Sequence, residues 1–155
     1  MTVADHRRRL AKASANGSID RRVLFSEELI QTDRVIAGTW TALQHIRQRY
    51  SIVFLSSRSR LARPATRRWL QEHDLFTPGD RLIVVDSEAE KLQHLRRLLP
   101  NLYLIIDDFK YDYQSGWPKV SDYLLPKLLA MKAPVVIFDN NWRRIIRTYF
   151  SAPHA

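Results

Sequence analysis

Two stretches decide how this chain is read: Ser51-Ile52-Val53-Phe54-Leu55-Ser56-Ser57-Arg58 and Leu104-Ile105-Ile106-Asp107-Asp108. Each is an unbroken apolar run of strand length that ends on polar side chains. A strand covered on both faces reads this way, because neither of its faces needs the polar alternation of a half-solvated strand. Leu82 to Val85 and Pro134 to Phe138 repeat the pattern, and Val23-Leu24-Phe25 offers a shorter first run. The intervening segments have helical spacing. Thr39 to Gln48 carries Trp40, Leu43 and Ile46, and a second helix opens at Pro64 and runs through Trp69 and Leu70 to about His73. Proline suits a first helical turn because its missing N–H would have no partner there. Glu88 to Leu99 aligns Ala89, Leu92, Leu95 and Leu99. Asp122 to Met131 follows, with Pro126 predicting a kink, and a basic, aromatic helix runs from Trp142 to Phe150.

Five apolar strands alternating with helices predict parallel β-α-β units with right-handed crossovers. The expected architecture is an α/β, three-layer Rossmann-like domain with a mainly parallel five-stranded sheet. It would span residues 23–150, after a basic arm or helix at 1–22 and before a short tail at 151–155. A length of 155 residues suits one such core. The arm carries Arg7, Arg8, Arg9, Lys12, Arg21 and Arg22 against Asp5 and Asp20, and Asn16-Gly17-Ser18 reads as a break within it.

The chain holds no cysteine. That excludes disulfides, thiolate metal sites and cysteine nucleophiles, and it fits a reducing, cytoplasmic setting. No apolar run approaches the roughly 20 residues of a membrane helix, and no hydrophobic segment follows the basic N-terminus, so no membrane partner is expected. The formal net charge is +9. Such an excess attracts nucleic acid, phosphorylated small molecules or an acidic protein partner, and it equally describes a solvated basic surface. The histidines at 6, 45, 73, 94 and 154 show no metal-ligand spacing, and there is no glycine-rich phosphate loop or nucleophile elbow.

In parallel sheets, ligands gather at the carboxyl ends of the strands. The residues at those ends are Ser26-Glu27-Glu28, Ser56-Ser57-Arg58, Asp86-Ser87, Asp107-Asp108 and Asp139-Asn140-Asn141. All five tips are polar. In this order the segments resemble the haloacid dehalogenase superfamily of phosphohydrolases, especially its small nucleotidase and polynucleotide-phosphatase branches. The strand ending in Ser56-Ser57-Arg58 resembles the second motif of that family, and Lys91 stands where its third-motif lysine does. Leu104 to Asp108 resembles the fourth motif, and Val135 to Trp142 the last strand and loop. The resemblance covers roughly residues 23–145.

The resemblance implies that Ser56, Ser57, Arg58 and Lys91 bind phosphate, and that Asp107 and Asp108, with Asp112, hold a weakly bound Mg2+. It departs from the family at the first motif. Ser26 falls at the aspartate nucleophile and Glu28 at the acid/base position. A neutral serine cannot supply the anionic metal ligand, and losing the covalent nucleophile removes the main rate enhancement. A catalytically impaired relative that binds a phosphorylated ligand, nucleic acid or a protein partner is the reading this favours. The alternatives are an active Mg-dependent phosphatase, with Glu27 or Glu28 assisting a metal-bound water, and a basic interaction module.

Arg58, Arg60, Arg63, Arg67 and Arg68, with Arg143, Arg144 and Arg147, would form a cationic rim, and Tyr111, Tyr113, Trp117 and Trp142 would offer stacking surfaces for bases. Each group also has a plainer reading: Asp107 and Asp108 as a solvated strand end, Ser56 and Ser57 as turn residues, Lys91 and the arginines as solvated charge, and the aromatics as core. The functional reading requires that the hydroxyl at 56, the ammonium at 91 and the acidic pair at 107–108 meet around one pocket.

Overall fold

The apolar runs form four short strands in two separate parallel pairs in the computed structural model, which describes residues 21–110 and 119–151. Strand β1 (Val53–Ser56) pairs with β2 (Arg81–Val84), in register from Val53 opposite Arg81 to Ser56 opposite Val84. Strand β3 (Ile105–Asp107) pairs with β4 (Val135–Ile137), from Ile105 opposite Val135 to Asp107 opposite Ile137. The helices are α1 (Arg21–Leu24), α2 (Glu27–Gln31), α3 (Thr39–Arg47), α4 (Arg63–Glu72), α5 (Glu88–Leu98), α6 (Leu124–Ala130) and α7 (Trp142–Ile145). A π-helical turn over Ile146–Phe150 continues α7.

The predicted five-stranded Rossmann-like sheet is therefore not formed, for two reasons. Val23-Leu24-Phe25 is not a strand: Arg21–Leu24 is a helical turn. Its apolar residues are buried, but Leu24 and Phe25 pack with Ile30, Ala62, Ala65 and Trp69 against α4. Three consecutive apolar residues cannot distinguish a period of two from one of 3.6. The second reason is that β1 and β3 do not pair. Among the described residues there are two two-stranded sheets.

The pleat of each strand carries side chains to two helical layers. Ile52 and Phe54 pack in one cluster with Leu43 of α3, Leu70 of α4, Leu75 just after it, and Leu82 and Val84 of β2. Ile52, Leu104 and Ile106 meet Ile46, Ile145 and Phe150 on that same side. Leu55 and Ile105 point the other way, into Leu92 and Leu95 of α5 and Leu124, Leu125 and Leu128 of α6. Leu124, Leu128 and Ile145 are almost wholly buried, and each such side chain stabilises the fold by about 1.5–3 kcal/mol through removal from water.

Local signals fix the helix ends. The Ser87 hydroxyl accepts the Glu90 N–H at 3.2 Å and caps α5. Acidic Glu88 and Glu90 lie in the first turn of α5 and basic Arg96 and Arg97 in its last, matching the helix dipole. Asn141 caps α7 by accepting the Arg144 N–H at 2.9 Å. Pro126 is the third residue of α6, where its missing N–H has no helical partner to lose, so it starts the helix and the predicted kink does not arise. Between α3 and β2, Arg47 donates to Asp80 at 2.6 Å and to the Leu75 carbonyl at 2.7 Å, and Asp80 also accepts the Thr77 N–H at 2.8 Å. Among the described residues, no helix is long and apolar enough to cross a membrane.

Candidate functional site

The interval between β1 and β3 is a cavity of about 1040 Å³. Both strands run the same way along it. At their amino ends the Tyr50 and Tyr103 rings stack, with centroids 4.3 Å apart. At their carboxyl ends Ser56, Ser57 and Arg58 share the cavity wall with Asp107, Asp108 and Lys110. This second end is the mouth that sequence reasoning pointed to.

Lys91 is buried, with 8% of its surface exposed, and its ammonium bonds the Asp107 carboxylate. The plainer reading of Lys91 as solvated charge therefore does not hold. Lys91 lies on the inward stripe of α5 beside Leu92 and Leu95, and the carboxylate at the tip of β3 compensates its charge. The other Asp107 oxygen accepts the Phe109 N–H at 2.9 Å, and Asp108 accepts the Lys110 N–H at 3.1 Å. Two successive aspartate turns thus shape the loop. Phe109 takes the left-handed conformation with φ 54° and is anchored in the core below. A bulky residue adopts that conformation only when its surroundings impose it.

Electrostatics separate the acids of the mouth. Burial pushes the Asp108 carboxyl above its ordinary range, and the neighbouring Asp107 charge adds to the push, against the Lys110 N–H that lowers it. Burial also raises Glu88, opposed by the Ser121 hydroxyl and the Lys91 ammonium, with Asp122 and Asp107 pushing it up. Glu88 is thus a member of the Lys91–Asp107 group that sequence reasoning missed. The signal was available, because Glu88 and Lys91 are three residues apart and share one helix face.

Other expected residues lie elsewhere. Ser26 is the N-cap of α2 and Glu28 is exposed on that helix, so the nucleophile and acid/base positions are not at a strand tip and neither residue lines the cavity. Glu27 is paired with Arg68. Asp112, Tyr111, Tyr113, Trp117 and the arm at 1–20 lie outside the described residues, as does nearly all of the tail.

The predicted cationic rim is dispersed. Arg60 is engaged by Glu90 at 2.8 Å and by Asp86 at 3.4 Å. Arg63 and Arg67 line a separate depression beside β2, where Arg67 sits over the Phe76 ring at 5.2 Å. Arg143 is exposed on α7, and Arg144 pairs with Asp139 at 3.0 Å. Trp142 donates to the Thr39 hydroxyl at 2.8 Å and packs on Phe138, so it is a wall of the cavity and not a free stacking platform.

Asp112, the third predicted metal ligand, lies outside the described residues. Among the described residues, no three acidic or histidine side chains converge as a divalent cation would require, and Asp107 is already held by Lys91. No protein-family model matches the chain, and no curated protein or solved structure matches it.

Proposed function

We propose that the mouth at the carboxyl ends of β1 and β3 binds the phosphate group of a phosphorylated ligand and holds it without hydrolysing it. The observation that supports this reading is the meeting of Ser56, Ser57, Arg58, Lys91 and Lys110 at one end of one cavity. These residues supply the hydroxyl donors and delocalised and point cations that phosphate oxygens accept. Lys91 offsets Asp107, leaving Asp108 as the acid that opposes an anion. Asp108 is raised above its ordinary range by burial, so its repulsion of an anion weakens as pH falls, and phosphate binding is proposed to tighten in acid. Binding without turnover is proposed because Ser26 and Glu28 begin helix α2 and do not end a strand, and neither lines the cavity. Since Asp107 is already held by Lys91, phosphate binding is proposed to be independent of magnesium.

Calorimetric titration with inorganic phosphate and with adenosine monophosphate, each with and without magnesium, tests the reading. Saturable heat in both magnesium conditions is expected, weakened about tenfold in Arg58→Ala, since a charged hydrogen bond contributes about 1.5–3 kcal/mol. Absence of saturable binding in the millimolar range, or release of phosphate from the nucleotide, would overturn it.

A further inference from the structure

We infer that the cavity is a slot for an extended strand supplied by another polypeptide, apolar along its length and acidic just before it. In a parallel ladder, alternate residues turn their N–H and C=O groups to opposite sides. The Ile52 and Ser56 carbonyls accept from Arg81 and Val85 at 3.0 and 2.9 Å. Val53 and Leu55 therefore present their peptide groups to the other side, towards the cavity. Across the gap, the Ile105 N–H donates to Pro134 at 2.7 Å and the Asp107 carbonyl accepts from Phe138 at 2.8 Å. Leu104 and Ile106 accordingly face the cavity from the opposite wall. All four residues line it, and none is fully buried although each belongs to an unbroken apolar run. Two strand edges that run in the same direction thus face one space, with no ladder between them among the described residues.

Such edges are templates for an added strand. Its side chains would meet apolar surface on both faces: Ile52, Phe54, Leu104 and Ile106 towards one helical layer, Leu55 and Ile105 towards the other. The occupant is therefore continuously apolar, as β1 itself is, and about four or five residues long to match its neighbours. Its direction is parallel to β1 and β3, so its first residues lie at the amino end of the slot. Arg49, Arg81 and Arg97 line that end, each exposed, and none of them forms an ion pair among the described residues. Those cations select acidic residues immediately before the strand. The inference is independent of phosphate binding, which concerns the opposite end.

The test is amide hydrogen exchange on the full chain at low concentration, with a synthetic peptide of aspartates followed by alternating valine and isoleucine. The peptide should slow exchange of the Val53, Leu55, Leu104 and Ile106 amides by about tenfold or more, the signature of new ladder bonds. A peptide with lysines in place of the aspartates should bind more weakly to the natural chain and more tightly to the Arg49→Glu, Arg97→Glu variant. A peptide N-methylated at alternate amides should not protect. Unchanged exchange at millimolar peptide, or equal protection by the N-methylated peptide, would overturn the inference. So would protection already present without peptide, which would place a segment of this chain in the slot. Protection that rises with chain concentration alone would overturn it in favour of a second copy.

Discussion

Lys91 of α5 and Asp107 at the tip of β3 form an ion pair in which 11% and 21% of the two side chains remain exposed. The pair joins a helix that covers one face of the sheets to the end of a strand lining the cavity, so it fixes the wall of the candidate site as well as its charge. Removing one partner leaves the other buried and uncompensated. Asp107→Asn and Lys91→Met should each destabilise the chain by about 3 kcal/mol, and the Lys91→Met, Asp107→Asn double variant should lose much less than the sum of the two. Denaturant unfolding checks this. Additive losses in the double variant would show that the two side chains do not act as a pair.

Asp108 makes the opposite contribution to stability. Its folded pKa lies above the unfolded value, so the stability linked to it is full below the unfolded carboxylate range and is lost as pH rises through the raised folded value. Asparagine keeps the oxygen that accepts the Lys110 N–H. Asp108→Asn should therefore melt at a higher temperature than the natural chain near neutral pH, with the difference vanishing by about pH 4. Thermal melts across that interval provide the measurement. The same variant should bind phosphate several-fold more tightly at neutral pH, because a repelling charge is gone.

At the Arg47–Asp80 clamp the sign is reversed. Burial alone would raise Asp80, but the Arg47 guanidinium and the Thr77 N–H together hold it below its ordinary value. Stability from this group is full above the unfolded carboxylate range and falls as pH drops through the lowered folded value. With side-chain exposures of 13% and 3%, Asp80→Asn should destabilise by about 3 kcal/mol at neutral pH and by less in acid. Arg47→Lys should be nearly as damaging, since an ammonium cannot span the two Asp80 oxygens and the Leu75 carbonyl as the fork does. Unfolding free energies measured at two pH values decide both.

The core at α6 gives a control for these electrostatic effects. Leu128 is fully buried among Leu92, Leu95, Leu124 and Leu125. Leu128→Ala should destabilise by about 3 kcal/mol, with little dependence on pH. A pH-dependent loss would mean that packing at α6 and the Lys91–Asp107 pair are coupled.

The four strands from β1 to β4 were legible because an unbroken run of branched apolar residues between turn residues has few other uses. Val23-Leu24-Phe25 was too short to carry a period, and the helical turn there buries Leu24 and Phe25 as well as a strand would have. What each strand edge pairs with was not legible at all. An apolar run reports that its faces are covered, but says nothing of whether Val53 and Leu55 find ladder partners. At the site, Ser56–Arg58 and Asp107-Asp108 were legible as strand ends. The burial of Lys91 was not, because a charged residue on a helix reads as solvated until its counter-ion, brought close by tertiary packing, is known. Arg63 and Arg67 were grouped with the mouth by sequence proximity to Arg58, whereas α4 carries them to a depression beside β2.

Amide and side-chain NMR shifts on titration with inorganic phosphate test phosphate binding at the mouth most directly. Saturable shifts should concentrate at Ser56, Ser57, Arg58, the Lys91 ammonium and Lys110, and in Arg58→Ala should need about tenfold more phosphate to saturate while the spectrum of the fold is retained. Shifts centred on Arg63 and Arg67 beside β2, or none at the mouth at saturating phosphate, would contradict it.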